Sequence, residues 1–362
     1  MEVKAAVLHA PDEPFVVETV ALARPSHGEA LVRIVAVGVC HTDFRARNPG
    51  RRPASLPAIF GHEGAGIVEE VHPSVTRFRP GDHVVLSYDS CGWCAQCHSG
   101  SPAYCQEFDQ RNLSGRRLDG TAAATGKDGS AVAARWFGQS SFATHAIATE
   151  RNMVRVDPAY PLEVLAPLGC GIQTGAASVM VGLGVGAGAR IAVFGVGSVG
   201  LAAVMSARAV GAQTIIAVDI RESRRRLALE LGATVAIDAT DPEAAAQIIA
   251  ASGGLDFALE TSGSTRAIGQ AIDALAIGGR CGLVGAESAA LELRPTKLIG
   301  RHLTFFREGN ATPQLFIPFL IELWQSGRFP FDRLISNYRL EGINQAEADC
   351  MSADVVKPVL IP

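Results

Sequence analysis

The pattern of apolar and polar positions along the chain changes near residue 170. In the first part, short apolar runs are separated by glycine, proline, aspartate and histidine, and the pattern predicts strands over 31–39, 66–71 and 83–86. Short apolar runs bounded by turn residues are typical of β-strands that reverse direction often. The pattern therefore indicates an irregular β-barrel in this half of the chain.

The second part alternates buried-looking strands with helical stretches. Strands are predicted over 190–194, 214–218, 234–237, 256–260 and 280–284. Helices are predicted over 198–210, 222–231, 242–251 and 265–276. Alternation at this spacing predicts a parallel, doubly wound α/β sheet. A helix over 315–326 and a strand over 355–360 follow, and we expect this last segment to return to the first domain.

Composition narrows the class of protein. Of 362 residues, 48% are apolar and 19% are charged, a balance that supports a large buried core and excludes a disordered chain. A net charge of −4 gives no basic excess, so nucleic acid is not an expected partner. The sequence shows neither a signal-peptide pattern nor a long uncharged apolar stretch, so we expect a cytoplasmic protein without a membrane span.

Four of the eight cysteines lie within 15 residues. Cys91, Cys94 and Cys97 are separated by two residues each, and Cys105 follows after seven more. Four thiolates at this spacing suit one tetrahedral zinc ion with no open position, which is a structural site. An iron–sulfur cluster and free reduced cysteines are the alternatives.

A glycine-rich turn follows the predicted strand that ends at Phe194. Residues 195–200 read Gly-Val-Gly-Ser-Val-Gly and open a predicted helix, which is the context in which this motif holds a dinucleotide pyrophosphate. Asp219 ends the next strand, where a carboxylate accepts hydrogen bonds from ribose hydroxyls and favours NAD over NADP. A cationic run, formed by Arg221, Arg224, Arg225 and Arg226, leaves a 2′-phosphate clamp open as the alternative.

A second metal site is suggested by residues that are distant in the sequence. Cys40, His62 and Cys170 offer two thiolates and an imidazole, which would leave one corner of a tetrahedron for water or substrate. From the residues alone, each of them is equally well explained as a core side chain.

The sequence resembles the zinc-dependent medium-chain alcohol dehydrogenases over essentially its whole length. The motifs that carry the resemblance are GVCHTDF (38–44), GHEGAGIV (61–68), GDHV (81–84), the cysteine quartet, LGCGIQTG (168–175) and GVGSVG (195–200). The resemblance implies a GroES-like β-barrel catalytic domain over 1–171 and 311–362, with a structural zinc lobe at 91–105. It also implies a Rossmann domain that binds NAD over 172–310.

The resemblance also implies roles for individual residues. Cys40, His62 and Cys170 match the catalytic zinc ligands, and Glu63 matches an acidic neighbour that ligates the zinc transiently. Thr42 matches the hydroxyl that contacts the substrate oxygen, and Asp43 matches the carboxylate that orients the zinc-bound imidazole. Two zinc ions per chain are therefore expected.

Cofactor contacts are expected at ten positions. Arg224 matches a lysine of the family that contacts the adenosine ribose. The positions are His41, Thr174, Gly195, Gly197, Val199, Gly200, Asp219, Arg224, Ala286 and Lys357.

The implied reaction is zinc-assisted hydride transfer from a primary alcohol to NAD+, which gives the aldehyde. One residue departs from the family pattern. Arg45 stands where the best-known members have a histidine that passes the alcohol proton to solvent, and a guanidinium is too basic for that role. The route by which the proton leaves is therefore open, and Cys281 and Cys350 fit neither metal site.

The preferred substrate is expected to be an aromatic or allylic alcohol. Segments 112–119, 316–324 and 329–334 resemble the aryl-alcohol branch, which includes enzymes that act on benzyl alcohol and geraniol. Tyr88, Trp136 and Phe137 match positions near the family's substrate channel and would stack on a flat alcohol. A glutathione-dependent formaldehyde dehydrogenase, a general alcohol dehydrogenase and a metal-free structural relative are the alternatives. The stretch between Cys105 and Phe142 is long, and in the family that the sequence resembles such a length goes with dimers more than with tetramers, so the resemblance implies a homodimer.

Overall fold

The computed structural model describes residues 1–44, 55–285 and 289–362. The strands in these ranges are, in chain order, β1 Glu2–Leu8, β2 Val16–Leu22, β3 Glu29–Gly38, β4 Ala58–Ile59, β5 Glu63–Val71, β6 His83–Leu86, β7 Ala124–Thr125, β8 Ala131–Val132, β9 His145–Thr149, β10 Met153–Val156, β11 Arg190–Phe194, β12 Thr214–Asp219, β13 Val235–Asp238, β14 Leu255–Glu260, β15 Leu275–Leu283, β16 His302–Phe305, β17 Ile335–Arg339 and β18 Lys357–Ile361.

The α-helices are mostly short in the first half of the chain and longer in the second. In chain order they are α1 His41–Phe44, α2 Ala95–His98, α3 Phe108–Leu113, α4 Leu162–Leu165, α5 Gly171–Ala177, α6 Ser198–Ala209, α7 Glu222–Leu231, α8 Ala244–Ser252, α9 Thr265–Ala274, α10 Pro313–Gln325 and α11 Ile343–Ser352. A π-helix, Ser178–Leu183, continues α5.

The chain divides by its contacts into two compact units. One contains Met1–Cys170, Thr312–Pro318 and Leu334–Pro362, and the other contains Gly171–Ala311 and Phe319–Arg333. The segment Phe319–Arg333 thus packs with the second unit, although the sequence pattern placed it with the first. Within the described ranges, no single helix is long and apolar enough to cross a membrane, and one bent pair of helices passes by length and composition only.

The first unit contains two sheets that are mainly antiparallel. One follows the order β4-β1-β2-β7-β8, and the other follows β10-β6-β5-β3-β18-β17, with β9 also paired to β3. Strand β3 is therefore central, and most of its side chains are buried because it pairs with β5, β9 and β18. Its end at Gly38 leads directly to Cys40 and helix α1.

The second unit is built on a parallel sheet in the order β13-β12-β11-β14-β15-β16. The chain runs outward from β11 to β13 and then returns beside β11 as β14, so the direction of winding reverses between β11 and β14. In such sheets, ligands bind beyond the carboxyl ends of the strands at this reversal. The expected α/β class, with a GroES-like part and a doubly wound parallel sheet, is confirmed.

Most of the predicted elements match, and the misses have local causes. Strand β15 begins at Leu275, whereas the sequence predicted a helix through residue 276. Leu275 has extended dihedral angles and pairs with Leu255, and the register then shifts at the glycines that follow. Helix α10 begins two residues earlier than predicted, at Pro313, because proline suits the first turn of a helix.

Candidate active site and metal centres

Four potential metal ligands converge in the first unit. Cys40 follows β3, His62 and Glu63 stand at the start of β5, and Cys170 ends a 3-10 turn. One ligand atom from each of these residues lies within 4.8 Å of the corresponding atoms of the others. The structure thus brings together residues that are up to 130 positions apart in the sequence.

The donors of this group fit a zinc ion. Nδ1 of His62 lies 2.7 Å from Oδ1 of Asp43, whose carboxylate holds the imidazole proton on that nitrogen. The opposite nitrogen, Nε2, is buried and makes no hydrogen bond within the described part of the chain. An imidazole nitrogen left free beside two thiols is the donor set of an open, catalytic zinc site.

Asp43 is the centre of a buried hydrogen-bond network. Besides His62, its carboxylate accepts hydrogen bonds from the backbone N–H of Gly61 at 3.0 Å and of Cys40 at 3.2 Å. The indole Nε1 of Trp136 donates to the same Oδ1 at 3.0 Å. Asp43 is completely buried, so these donors compensate the cost of keeping a carboxylate out of water.

Without a metal ion, the electrostatics of the group favour the charged forms of both Cys40 and His62, and for Cys40 the charged form is also the one that binds a metal. A hydrogen bond with Cys170 holds the pKa of the Cys40 thiol well below its ordinary value, even though burial opposes ionisation. Burial opposes protonation of His62 too, but the Asp43 carboxylate raises the pKa of the imidazole well above its ordinary value. A thiolate is the form of cysteine that binds a metal.

Glu63 forms a buried ion pair with Lys357. Nζ of Lys357 lies 2.7 Å from Oε1 and 2.6 Å from Oε2 of Glu63, and it also donates to the carbonyl of Val39 at 3.0 Å. The pKa of Lys357 is raised, because the attraction of Glu63 outweighs the effect of burial. Gly38 is needed beside this pair, since a Cβ there would lie 2.0 Å from Oε2 of Glu63. The expected cofactor contact of Lys357 stays a prediction.

The two residues after Cys40 face different surroundings. Thr42, which directly precedes Asp43, is half-buried, whereas His41 is exposed. Nδ1 of His41 lies 3.9 Å from Sγ of Cys350, which is buried on α11. The roles expected for Thr42 and His41 toward substrate and cofactor stay predictions.

The cysteine quartet forms a second, separate group. The sulfur atoms of Cys91, Cys94, Cys97 and Cys105 all lie within 4.8 Å of one another. Sγ of Cys91 accepts the backbone N–H of Cys94 at 3.3 Å, and Sγ of Cys105 accepts that of Cys91 at 3.2 Å. Backbone hydrogen bonds from Gln106 and Cys97 lower the pKa of Cys94 to about 6. Four converging sulfur donors suit a closed, structural zinc site.

A buried arginine fastens this lobe. Arg111, on α3, lies 3.2 Å from Oδ2 of Asp89 and 2.7 Å from Oε2 of Glu107. Its guanidinium also stacks over the ring of Trp93, 5.1 Å from the centroid, although that ring is largely exposed. The side chain of Asn112 exchanges hydrogen bonds with the backbone of Asp89 at 2.7 and 2.9 Å.

The glycine-rich turn of the second unit follows β11. Gly195 has a φ of +79°, and a Cβ on Gly200 would lie 2.0 Å from the carbonyl of Gly195, so both glycines are required by the turn itself. A Cβ on Gly197 would meet nothing within 4 Å, so this glycine leaves open space at the start of α6. Helix α6 begins without a side-chain cap, and its first N–H groups suit a pyrophosphate.

Asp219 ends β12 beside this turn. Its carboxylate accepts the backbone N–H groups of Val196 and Arg221, each at 2.8 Å. Two of the neighbouring arginines are engaged elsewhere: Arg225 with Asp238 at 3.0 Å, and Arg226 with a glutamate of its own helix.

The remaining expected cofactor positions are dispersed. Arg224 is buried on α7, and Val199 is the second residue of α6. Thr174 lies on α5 and donates to Oε2 of Glu308 at 3.2 Å. Ala286, like Arg45, lies outside the described residues. Their roles stay predictions.

The three aromatic residues expected near the substrate are almost completely buried. The exposed fractions are 2% for Tyr88, 1% for Trp136 and 5% for Phe137. The Phe137 ring stacks on the His62 imidazole, with centroids 4.4 Å apart. Phe108 joins them, 5.7 Å from Tyr88 and 6.2 Å from Phe137.

Sequence reasoning missed several contacts of the site. It assigned Trp136 to the substrate rather than to Asp43, and it did not connect Lys357 with Glu63. These pairs are 93 and 294 residues apart, and no local pattern signals them. Phe108 was also missed, and its position three residues after Cys105 was the one weak indication that it lies near the site.

Comparison with known proteins identifies the family. Residues 26–158 match the model of the alcohol dehydrogenase GroES-like domain, and residues 198–321 match that of the zinc-binding dehydrogenases. The chain is 43% identical to a geraniol dehydrogenase of Castellaniella defragrans, an alignment that covers 99% of this chain and 97% of that protein. It is 32% identical to an S-(hydroxymethyl)glutathione dehydrogenase of Saccharomyces cerevisiae, over 98% and 95% of the two chains.

Solved structures agree with this result. The crystal structure of benzyl alcohol dehydrogenase from Acinetobacter calcoaceticus superimposes with a TM-score of 0.95 at 41% identity, and it covers 100% of this chain and 99% of its own. The chain belongs to the zinc-dependent medium-chain alcohol dehydrogenases, in the branch that contains geraniol and benzyl alcohol dehydrogenases. It is therefore an alcohol dehydrogenase, and the predicted family and enzyme class are confirmed.

Proposed function

We propose that this enzyme oxidises an aromatic or allylic primary alcohol, of the benzyl alcohol or geraniol type, to the aldehyde with NAD+. The observation that carries the proposal is the group of Cys40, His62 and Cys170, in which Nε2 of His62 is buried without a hydrogen bond in the described chain. A zinc ion bound there would act as a Lewis acid that lowers the pKa of the alcohol.

The surrounding side chains support that chemistry. Asp43 fixes the tautomer and orientation of His62 through the 2.7 Å hydrogen bond. The half-buried hydroxyl of Thr42 is suited to accept the alcohol proton and to pass it on. The ion pair with Lys357 neutralises the charge of Glu63 behind the ligands, so that Glu63 adds no uncompensated charge to the group.

NAD is the cofactor that the second unit fits best. The space beside Gly197 and the uncapped start of α6 suit a pyrophosphate, and Asp219 suits ribose hydroxyls. The alternative of a 2′-phosphate clamp is weakened, because Arg225 is held in an ion pair with Asp238 and Arg224 is buried. Among the other expected positions, Thr174 and His41 complete the proposed cofactor contacts.

The substrate class is proposed from the aromatic surroundings and from the relatives. Phe137, Tyr88 and Phe108 form an aromatic cluster next to His62, which favours a flat, conjugated substrate by stacking and apolar burial. The relatives named as geraniol and benzyl alcohol dehydrogenases share 43% and 41% of aligned residues with this chain. The S-(hydroxymethyl)glutathione dehydrogenase shares less, at 32%.

The cysteine quartet is proposed to hold a second, structural zinc ion, so that each chain carries two. We also propose a homodimer. Strand β16 is an edge of the parallel sheet, and Phe305 on it is 53% exposed. Ile277, on the neighbouring strand β15, is 73% exposed, and Ile299, which precedes β16, is 66% exposed. Exposed apolar residues along an edge strand favour pairing with a second copy, and sedimentation of the purified protein tests this.

The test of function is a side-by-side assay on protein whose zinc has been counted. Formation of reduced nicotinamide is followed with benzyl alcohol, geraniol, ethanol and S-hydroxymethylglutathione, with NAD+ and with NADP+. The highest kcat/KM is expected for benzyl alcohol or geraniol with NAD+, at two zinc ions per chain. If S-hydroxymethylglutathione is the best substrate, the proposed substrate class is wrong. If no alcohol is oxidised and zinc is absent, the proposed chemistry is wrong.

A further inference from the structure

Trp136 contacts the metal group through a shared acceptor atom. Its indole Nε1 donates to Oδ1 of Asp43 at 3.0 Å, and Nδ1 of His62 lies 2.7 Å from the same oxygen. Trp136 is 1% exposed, so water does not compete for this hydrogen bond. The indole is thus linked through one shared oxygen, by two hydrogen bonds, to the imidazole whose other nitrogen faces the metal donors.

The backbone around Trp136 is strained. Phe137 has a φ of +50° and Ser140 a φ of +56°. Both angles lie in the left-handed region, which residues other than glycine rarely adopt. A bulky residue held in this region is destabilising and persists only where its surroundings determine its conformation. Strain of this kind concentrates at functional sites, which makes residues 136–140 a segment whose conformation requires an explanation.

Several hydrogen bonds hold this strained segment in place. Ser140 Oγ accepts the backbone N–H of Trp136 at 2.8 Å, and Asn152 Nδ2 donates to the carbonyls of Phe137 and Gly138, each at 3.2 Å. With the backbone held in this way, the indole points at Asp43 and the Phe137 ring lies flat against His62, at an interplanar angle of 28°. The imidazole is therefore fixed at its edge and at its face.

We propose that Trp136 is a positioning residue for the metal ligand His62, acting through Asp43, and that the strained turn exists to aim its indole. The inference rests on the proposed function in one respect, since it takes His62 to be a zinc ligand. It gives Trp136 a role that does not require contact with the substrate. Residues that orient a metal-bound histidine typically change metal affinity about 10–100-fold when they are removed.

The simple alternative is that Trp136 only fills space. Its ring packs edge-on against Phe60 and Phe137, with centroids 5.3 and 5.2 Å apart, and a buried indole N–H needs some acceptor in any case. The two explanations predict different effects when the N–H alone is lost. A packing role predicts lower thermal stability with unchanged metal binding, whereas a positioning role predicts weaker metal binding.

The experiment is the substitution Trp136→Phe, which keeps an aromatic ring and removes the donor. Zinc affinity is measured by competition with a chelator, and the zinc that a Cys40→Ser protein still retains is subtracted, so that only the His62 site is followed. Affinity is expected to fall about tenfold. The visible spectrum of the cobalt-substituted protein is expected to shift as well, because the geometry of the imidazole changes. Trp324→Phe, which changes a half-buried tryptophan packed on Phe331, is the matched control and is expected to change neither.

A double-mutant cycle separates action through Asp43 from other effects. In an Asp43→Ala background, Trp136→Phe is expected to cause no further loss of zinc affinity. If Asp43→Ala does not fold, Asp43→Asn replaces it, and the loss caused by Trp136→Phe is then expected to be smaller than in the parent.

Two results overturn the proposal: unchanged zinc affinity in folded Trp136→Phe protein, or an equal loss in both backgrounds. If the parent protein and the Cys40→Ser protein bind the same amount of zinc, the His62 site binds none, and the proposed function itself is contradicted.

Discussion

The two clusters of potential metal ligands are built in opposite ways. The quartet comes from one stretch of 15 residues and offers four sulfur atoms, so it is local and closed. The group at Cys40 comes from three distant segments, and it offers two sulfur atoms, an imidazole and a carboxylate that is already paired with Lys357. The closed cluster is therefore suited to hold its own lobe together, whereas the open cluster depends on the whole unit for its geometry.

Each cluster is accompanied by a buried ion pair, and these pairs also differ. Lys357 and Glu63 are 1% and 0% exposed in their side chains and lie on strands β18 and β5. Arg111 follows the quartet in the sequence, and it pairs with Asp89 and Glu107, which lie just before and just after the quartet. The open site is thus braced by contacts between distant segments, and the closed site by local contacts.

The largest effect is expected from Cys40→Ser. Loss of a thiolate ligand should remove zinc from the open site and lower kcat on the order of a thousandfold or more, because Lewis-acid assistance is worth several kcal/mol. The melting temperature should stay close to that of the parent. Turnover and thermal unfolding are measured together, with Cys281→Ser as a control outside both clusters. A protein that melts far below the parent would show that the open site is structural too.

The opposite behaviour is expected of Cys97→Ser. The variant is expected to lose the zinc proposed for the quartet, and since structural zinc contributes directly to folding, the free energy of unfolding should fall on the order of 3 kcal/mol or more. Thermal unfolding and zinc content are the measurements, with Cys281→Ala as the control that retains its zinc. Equal melting of Cys97→Ser and parent would contradict the structural role of the quartet.

Lys357→Met tests the brace behind the open site. It leaves Glu63 buried without its partner, and breaking a buried ion pair in this way typically costs about 3–5 kcal/mol. The exposed pair of Lys297 and Asp273 supplies the control, because Lys297→Met should cost less than about 1 kcal/mol. Chemical denaturation of both variants measures the difference. Similar losses in the two variants would mean that burial adds nothing to the pair.

The smallest effect is expected from Trp93→Ala. The ring is 61% exposed and stacks over Arg111, and an exposed cation–π contact is worth about 0.5–1 kcal/mol. Unfolding should become easier by that amount, with zinc content and turnover unchanged. Loss of zinc in this variant would show that the exposed ring takes part in holding the closed cluster.

The sequence predicted the architecture well wherever information is local. Strands β6 and β11 and helix α7 have the predicted bounds, because periodicity and turn residues are properties of short segments. The prediction named only three strands in the first part of the chain, so it missed β1, β2, β9 and β10 as well as the short strands β7 and β8 and the early start of β15. Two-residue strands carry no periodic signal, and β15 starts where pairing with Leu255 overrides the helical pattern.

The site followed the same rule. The quartet could be found from its spacing, whereas grouping Cys40, His62 and Cys170 required the resemblance to a family. The indole of Trp136 on Asp43 could not be predicted, because it depends on a left-handed conformation at Phe137 that no sequence preference favours. Spacing predicts a site when the chain makes it locally, and it fails when the site is made by tertiary contacts.

Strand β18 has a consequence for how the protein is made. It lies between β3 and β17, and its first residue, Lys357, supplies the ammonium that pairs with Glu63. During translation, the ion pair beside the open cluster can form only after residues 357–361 have left the ribosome, long after Cys40, His62 and Cys170 have been synthesised. The cysteine quartet needs no such delay. Nascent chains are therefore expected to load zinc at the quartet before they load it at the open cluster.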